Sequence, residues 1–319
     1  MTALRQSVRR IVRRFGYDVV RVGRWPHPSI PESFPPGHFY SVVPSLAEVT
    51  ERAPAIFAKS AELHGIGLNL AGQIRLLREF AAMAETPPFY SPERRRRFNI
   101  ENNSFSYDDA PILHYMIRRL RPRRIIEIGS GNSSACMLDT SELHLGGAVE
   151  FTFIDPDCGN LRRNLLAEDF LKVRILERPV QEVDRGIFTA LRANDLLFID
   201  SSHVIKAGSD LCTILFEVLP VLAPGVCIHF HDIRYPFQYE RETVLNGVFW
   251  NEAYLLRALL MYNSSFAITF WLNCLVNVKL GEARNLLERL PLPEWDRRFN
   301  DGAGNYSSAG GSIYLTKRL

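Results

Sequence analysis

From residue 105 onward, short unbroken apolar runs alternate with longer stretches whose apolar positions recur at helical spacing. The runs Arg124–Ile128, 149–154, 172–176, Leu196–Asp200 and Val226–His231 predict five buried strands. The stretches 108–120, 129–140, 159–168, 181–192, 207–219 and 250–262 predict helices, and 266–278 and 311–317 predict two closing strands. Strands apolar at nearly every position, each followed by a helix, belong to a parallel sheet covered on both faces. The expected class is α/β: a doubly wound, Rossmann-like sheet over 105–319, with a helical N-terminal extension over 1–104.

The extension has a different texture. Leu4, Val8, Ile11, Val12 and Phe15 share one helical face, with arginines around the rest. Such a helix either lies on a membrane surface or docks on its own protein. Six prolines between residues 25 and 44 predict an extended linker. Residues 45–84 read as helical, weakened by Gly65, Gly67 and Gly72, and Pro87, Pro88 and Pro92 end that region. The run Arg94–Arg97 follows, either contacting an anionic group or forming a solvated face.

Charge alters this picture at one end only. The chain carries +3, but residues 1–24 hold seven arginines against the single acid Asp18, which makes that segment +6 and leaves −3 for the rest. A global polyanion-binding surface is excluded, so nucleic acid is not an expected partner. A basic leader on an acidic body points instead to phospholipid head groups, a peripheral membrane contact through residues 1–24. Cys136, Cys158, Cys212, Cys227 and Cys274 are odd in number and form no C-x-x-C pair, against both a disulfide framework and a zinc site. No apolar run approaches the ~20 residues of a spanning helix, and the N-terminus lacks a signal-peptide core. The expected setting is cytoplasmic, at most peripheral at the inner membrane face.

The segment Ile125-Ile126-Glu127-Ile128-Gly129-Ser130-Gly131-Asn132-Ser133-Ser134 reads as strand, glycine turn and helix start. Glycines permit a sharp turn and close approach of a ligand to the main chain, and Asn132, Ser133 and Ser134 suit a helix start that receives an anion. A dinucleotide fingerprint wants glycine or alanine where Ser134 stands, and Glu127 repels phosphate but attracts an ammonium group. S-adenosylmethionine, with its ammonium, carboxylate and sulfonium, fits better. The next strand ends at Asp155, either the acceptor for a ribose diol or a turn acid before Pro156.

Two later strands supply candidate chemistry. One ends in Asp200, with His203 three residues on; the next ends in His229-Phe230-His231-Asp232. Asp200, His231 and Asp232 can converge on one divalent cation, magnesium or manganese by their oxygens and less readily iron or zinc through the histidine. His203, with an ordinary pKa near neutrality, suits a general base, or else caps the following helix. His229 reads as a satisfied core histidine.

These residues carry a resemblance. Ile126-Glu127-Ile128-Gly129-Ser130-Gly131, Leu197-Phe198-Ile199-Asp200-Ser201-Ser202-His203 and His229-Phe230-His231-Asp232-Ile233 together resemble a branch of class I S-adenosylmethionine-dependent methyltransferases. Pro236, Trp250-Asn251-Glu252, Tyr254-Leu255-Leu256 and the closing Gly311–Lys317 extend the likeness over about residues 100–319. Members of that branch accompany sugar or cell-surface polysaccharide biosynthesis, and some are metal-dependent O-methyltransferases. The resemblance implies a seven-stranded sheet with an antiparallel last strand. It implies cofactor contacts at Glu127, Gly129, Ser130, Gly131 and Asp155, with Gln181 or Glu182 near the adenine and Ser133 at the helix start. It also implies metal and base roles for Asp200 and His203, although His231-Asp232 stands where the branch has two adjacent acids. The expected reaction is O-methylation of a sugar or glycan-linked small molecule. The alternatives are a metal-dependent hydroxylase on the same fold and a non-catalytic cofactor-binding scaffold tethered by its basic leader.

Overall fold

The computed structural model describes residues 34–58, 62–83, 87–90, 97–102, 104–105, 109–290 and 310–319. The basic helix expected over 4–15, and Arg94 to Arg96, lie outside the described residues. The chain forms two compact units, Met1–Glu48 and Val49–Leu319.

The larger unit is built on one seven-stranded sheet of order β3-β2-β1-β4-β5-β7-β6. The strands are β1 (Arg124–Ile128), β2 (Glu150–Ile154), β3 (Arg174–Leu176), β4 (Leu196–Ile199), β5 (Cys227–Phe230), β6 (Phe266–Trp271) and β7 (Ile313–Lys317). The first five pair in parallel. β7 runs antiparallel to both β5 and β6, so its first residues lie beside the carboxyl end of β5. Strand order reverses between β1 and β4, and in open α/β sheets the crevice outside such a switch point receives ligands.

Alternation within strands distributes the core to both faces. Ile125, Phe151, Phe153, Phe198 and Tyr314 pack on one side, with the helices Asp109–Leu120 and Asn132–Leu145. Ile126, Ile128, Leu197, Ile199, Ile228 and Leu315 pack on the other. This double layer is why the strands read as continuous apolar runs. The compact unit starts well before residue 105, because Ile74, Leu77, Phe80, Phe89 and Phe98 belong to the first of these cores.

Several expected elements differ in ways local chemistry explains. The strand expected over 266–278 stops at Trp271, and a helix, Leu272–Val278, follows. The Trp271 indole donates to Ile233 O at 2.9 Å, while the Asn273 amide bonds Tyr235 N and Gly310 O, which fixes the chain in the turn. Over 181–192 only short turns form, at Val180–Glu182 and Gly186–Thr189, where the Asp184 carboxylate caps Gly186 N. The helix expected over 207–219 winds as Asp210–Thr213, then a π turn at Ile214–Val218, then a 3-10 turn through Pro220. Proline lacks the N–H that a continuing α-helix needs. Within 45–84, the chain is helical at Leu46–Glu51, Ala53–Ile56 and Leu70–Ala82, and leaves the helix around Gly65 and Gly67.

Arg97 is not on a solvated face. Its buried guanidinium holds Asp169 through both oxygens, with Nε at 2.7 Å and Nη2 at 2.5 Å, and reaches Asp139 and Glu142 at 2.8 Å each. The Asp139 carboxylate also accepts the Arg97 and Phe98 backbone N–H groups. The segment before the first predicted helix is thus fastened to the helix Asn132–Leu145 by charge as well as by packing. Removing one partner of such a buried network leaves uncompensated charge. Arg97→Met is expected to lower unfolding free energy by about 3–5 kcal/mol, measured by urea titration; a loss near zero would contradict the network's role.

Candidate active site

Glu127, Asp155, Asp200 and Asp232 all stand at the carboxyl edge of the sheet, at or just beyond the ends of β1, β2, β4 and β5. Gly129 makes the arrangement possible. Its φ is +85°, and a Cβ there would lie 1.7 Å from the Asp200 carbonyl oxygen. No other residue fits at that position, and the turn after β1 therefore rests directly on the end of β4. Gly131 is extended, and a Cβ on it would meet the Asn160 amide at 2.5 Å.

Glu127 is fully buried and receives the hydroxyls of Ser133 and Ser134, one on each oxygen. Ser134 Oγ in turn accepts Gly131 N at 2.9 Å. Burial pushes the Glu127 carboxyl up to about 8; the two serine bonds pull it back, and the charges of Asp200 and Asp155 push it further up. Through Ser133 and Ser134, Glu127 fastens the glycine turn to the helix that follows.

Asp155 accepts Ser130 N and Asp157 N, each at 2.8 Å, and burial raises its pKa despite those bonds. Gln181 donates to Gly208 O at 2.9 Å, so the turn carrying Gln181 and Glu182 lies against the loop after β4; both residues are exposed. The hydroxyls of Ser130 and Ser201 are buried beside the glycine turn and the end of β4 without a hydrogen-bond partner. Buried polar atoms left unpaired at a switch point are positions that a polar ligand satisfies.

His203, Asp200, His231 and Asp232 come together as a charged cluster. His203 Nε2 lies 3.3 Å from Asp200 and 3.6 Å from Asp232, and His231 Nδ1 lies 3.4 Å and 3.6 Å from the same two carboxylates. Behind each imidazole stands a further acid. Glu252, buried at the start of the helix Glu252–Leu260, takes His203 Nδ1 at 2.7 Å; Asp109 faces His231 Nε2 at 3.5 Å. Neither backing acid was singled out for a role in the sequence, since each reaches its histidine across a long chain separation. The proximity of Asn251-Glu252 to the family-like motif was the only signal for one of them.

Burial alone would lower the His203 pKa, but hydrogen bonds to Asp200 and Glu252, reinforced by their charges, raise it to about 10. His231 is likewise raised, by the charges of Asp200 and Asp232 and bonds to Asp109 and Asp200 that outweigh burial. Burial would raise Asp200, yet the His231 charge and the two imidazoles hold it far below the usual carboxylate range. The near-neutral His203 expected from its ordinary pKa is thus an imidazolium in this state. Asp200, His231 and Asp232 are adjacent, and among the described residues no group of three or more His, Cys, Asp or Glu is arranged to hold a metal ion.

Backbone strain marks the same two loops. His203 and Asp232 have φ of 58° and 56°, in the left-handed region that non-glycine residues seldom occupy. The His203 carbonyl accepts Asn251 N and Glu252 N at 3.0 and 3.1 Å, which holds the strained loop on the next helix. Trp250 packs its ring 4.4 Å from the His203 ring. His229, in contrast, is a neutral core residue, bonded to Ser312 at 2.8 Å and stacked on Phe198.

Two consequences can be measured. The proton on Glu127 is bound more tightly folded than unfolded, so its contribution to stability is present below about 4.5 and is lost as pH rises through about 8. Glu127→Gln, which mimics the neutral acid, is expected to fold and to flatten that decline in pH-dependent denaturation; an unchanged slope would disprove it. Glu252→Gln removes a charge from His203 and should bring the ring's titration down from about 10 toward the ordinary histidine value of 6.5, read by NMR. A ring that titrates unchanged would show that Glu252 does not hold the proton.

Residues 126–233 match the family described as "Methyltransferase domain". A protein of Archaeoglobus fulgidus described as uncharacterized is 32% identical over 167 residues, covering 50% of this chain and 75% of that protein. Among solved structures, an S-adenosylhomocysteine-bound methyltransferase of Podospora anserina is 16% identical, covering 88% of this chain and 99% of its own, with a TM-score of 0.39. The O-methyltransferase TomG of Streptomyces achromogenes, solved with S-adenosylmethionine, is also 16% identical, covering 70% and 87%, with a TM-score of 0.36. The segment matched as a methyltransferase domain contains the carboxyl-edge residues from Glu127 to Asp232.

Proposed function

We propose that this chain is an S-adenosylmethionine-dependent O-methyltransferase acting on a hydroxyl of a sugar or glycan-linked small molecule. The observation that carries the reading is the cradle at the switch point. There Gly129 rests on Asp200 O, and the buried hydroxyls of Ser130 and Ser201 lack partners. Those residues fit a ligand that presents several polar atoms, as the amino-acid end of S-adenosylmethionine does. Ser130, Gly131 and Ser201 would hold its polar end, and Asp155 would face the ribose diol. When bound, S-adenosylmethionine supplies an electrophilic methyl group on a positively charged sulfur.

The chain's own residues handle orientation and the proton. Glu252 fixes His203 through Nδ1, so Nε2 is the nitrogen turned toward Asp200, Asp232 and the cleft. A base must be uncharged to accept a hydroxyl proton. His203 reaches that form where pH approaches about 10, or where another positive charge shares the carboxylates that now retain its proton. Positioning of the acceptor oxygen supplies much of the remaining rate. No step is assigned to a metal ion.

Calorimetry with S-adenosylmethionine and S-adenosylhomocysteine tests the cofactor half; absence of binding for both would sink it. With a panel of sugar-hydroxyl acceptors, His203→Ala should cut turnover by roughly 10²–10⁴ and change cofactor affinity by less than about threefold. The wild-type rate should climb with pH well above the ordinary histidine range, toward about 10. Turnover unaffected by the substitution would remove His203 from the mechanism.

A further inference from the structure

In the smaller unit, Met1–Glu48, residues 34–43 fold back on themselves. Gly37 N donates to Val43 O at 2.9 Å, His38 N to Pro35 O at 3.0 Å, and Ser41 N to His38 O at 2.8 Å. Gly37, at φ +87°, makes the reversal, and Val43 N closes onto Ser41 Oγ at 3.2 Å. The rings of this loop pack on one another. Phe34 stacks on His38 at 4.8 Å, His38 on Phe39 at 4.4 Å, and Tyr40 lies 4.2 Å from Phe39.

Their other faces meet water. Phe39 is 81% exposed, Tyr40 66% and Val42 93%. Residues 34–44 contain no Asp, Glu, Lys or Arg, while residues 1–24, shortly before them in the sequence, carry seven arginines. A loop shaped by its own hydrogen bonds, displaying phenyl and phenol rings, is unfavourable in water and favourable at the head-group level of a bilayer. A basic segment attracts anionic head groups but releases easily; a second, apolar signal gives stable attachment. An acidic protein surface would satisfy the arginines but would offer no hydrocarbon to Phe39 and Val42.

We propose that residues 34–43 form a ready-shaped aromatic wedge that enters the interface of an anionic lipid surface, to which the arginines of residues 1–24 draw the protein. The wedge acts together with the basic leader and is independent of the chemistry in the cleft.

The full chain is sedimented with vesicles of phosphatidylcholine alone and of phosphatidylcholine with phosphatidylglycerol. Binding is expected to the mixed vesicles at about 0.1 M salt and to weaken markedly at about 0.5 M, as screening shortens. Phe39→Ala, Tyr40→Ala and Val42→Ala combined should reduce partitioning on the order of tenfold or more, with circular dichroism and S-adenosylhomocysteine affinity unchanged. Three outcomes would overturn the proposal: no binding of the wild type to anionic vesicles, equal binding to neutral ones, or a triple variant that binds as well as the parent.

Discussion

Two carboxylates, Asp200 and Asp232, stand at the carboxyl edge of the sheet, each within 3.6 Å of two buried imidazoles, His203 and His231. Like charges at such a site would otherwise drive one acid to protonate. Here each carboxylate lies near both histidines, and each histidine is backed by its own buried acid, Glu252 or Asp109. The cluster needs every strand end in register. β4 and β5 bring the acids, the loop after β4 brings His203, and the reversed β7 brings Gly311 and Ser312, whose N–H groups bind Asp109. The same antiparallel strand that closes the sheet therefore also anchors the backing acid of His231.

Much of this was legible along the chain. The strands announced themselves as unbroken apolar runs because both faces of the sheet are covered, and the glycine turn was readable because only glycine permits that backbone against Asp200 O. Asp200, His203, His231 and Asp232 were readable as strand-end polar residues, and the structure does gather them. Their protonation was not readable. The pKa of His203 is raised by Asp200, three positions away, and also by Glu252, 49 positions away, while burial raises that of Glu127. The part played by Glu252 and by burial depends on tertiary neighbours that no local pattern records.

The helical differences have a similar origin. Where the pattern predicted long helices after β3 and β4, the chain breaks into short turns at Gly186 and Pro220. The loop carrying His203 is held on Asn251 and Glu252 by its own hydrogen bonds. The region before residue 105 was harder to assign because its described residues form no strand. Its membership in the core rests on scattered side chains such as Phe80 and Phe98, and on the buried charge of Arg97.

The approach of Gly129 to the Asp200 carbonyl leaves no room for even a methyl group. The turn after β1 and the end of β4 are locked together there, so any side chain introduced at residue 129 would have to push aside the backbone that carries Asp200 and, three residues on, His203.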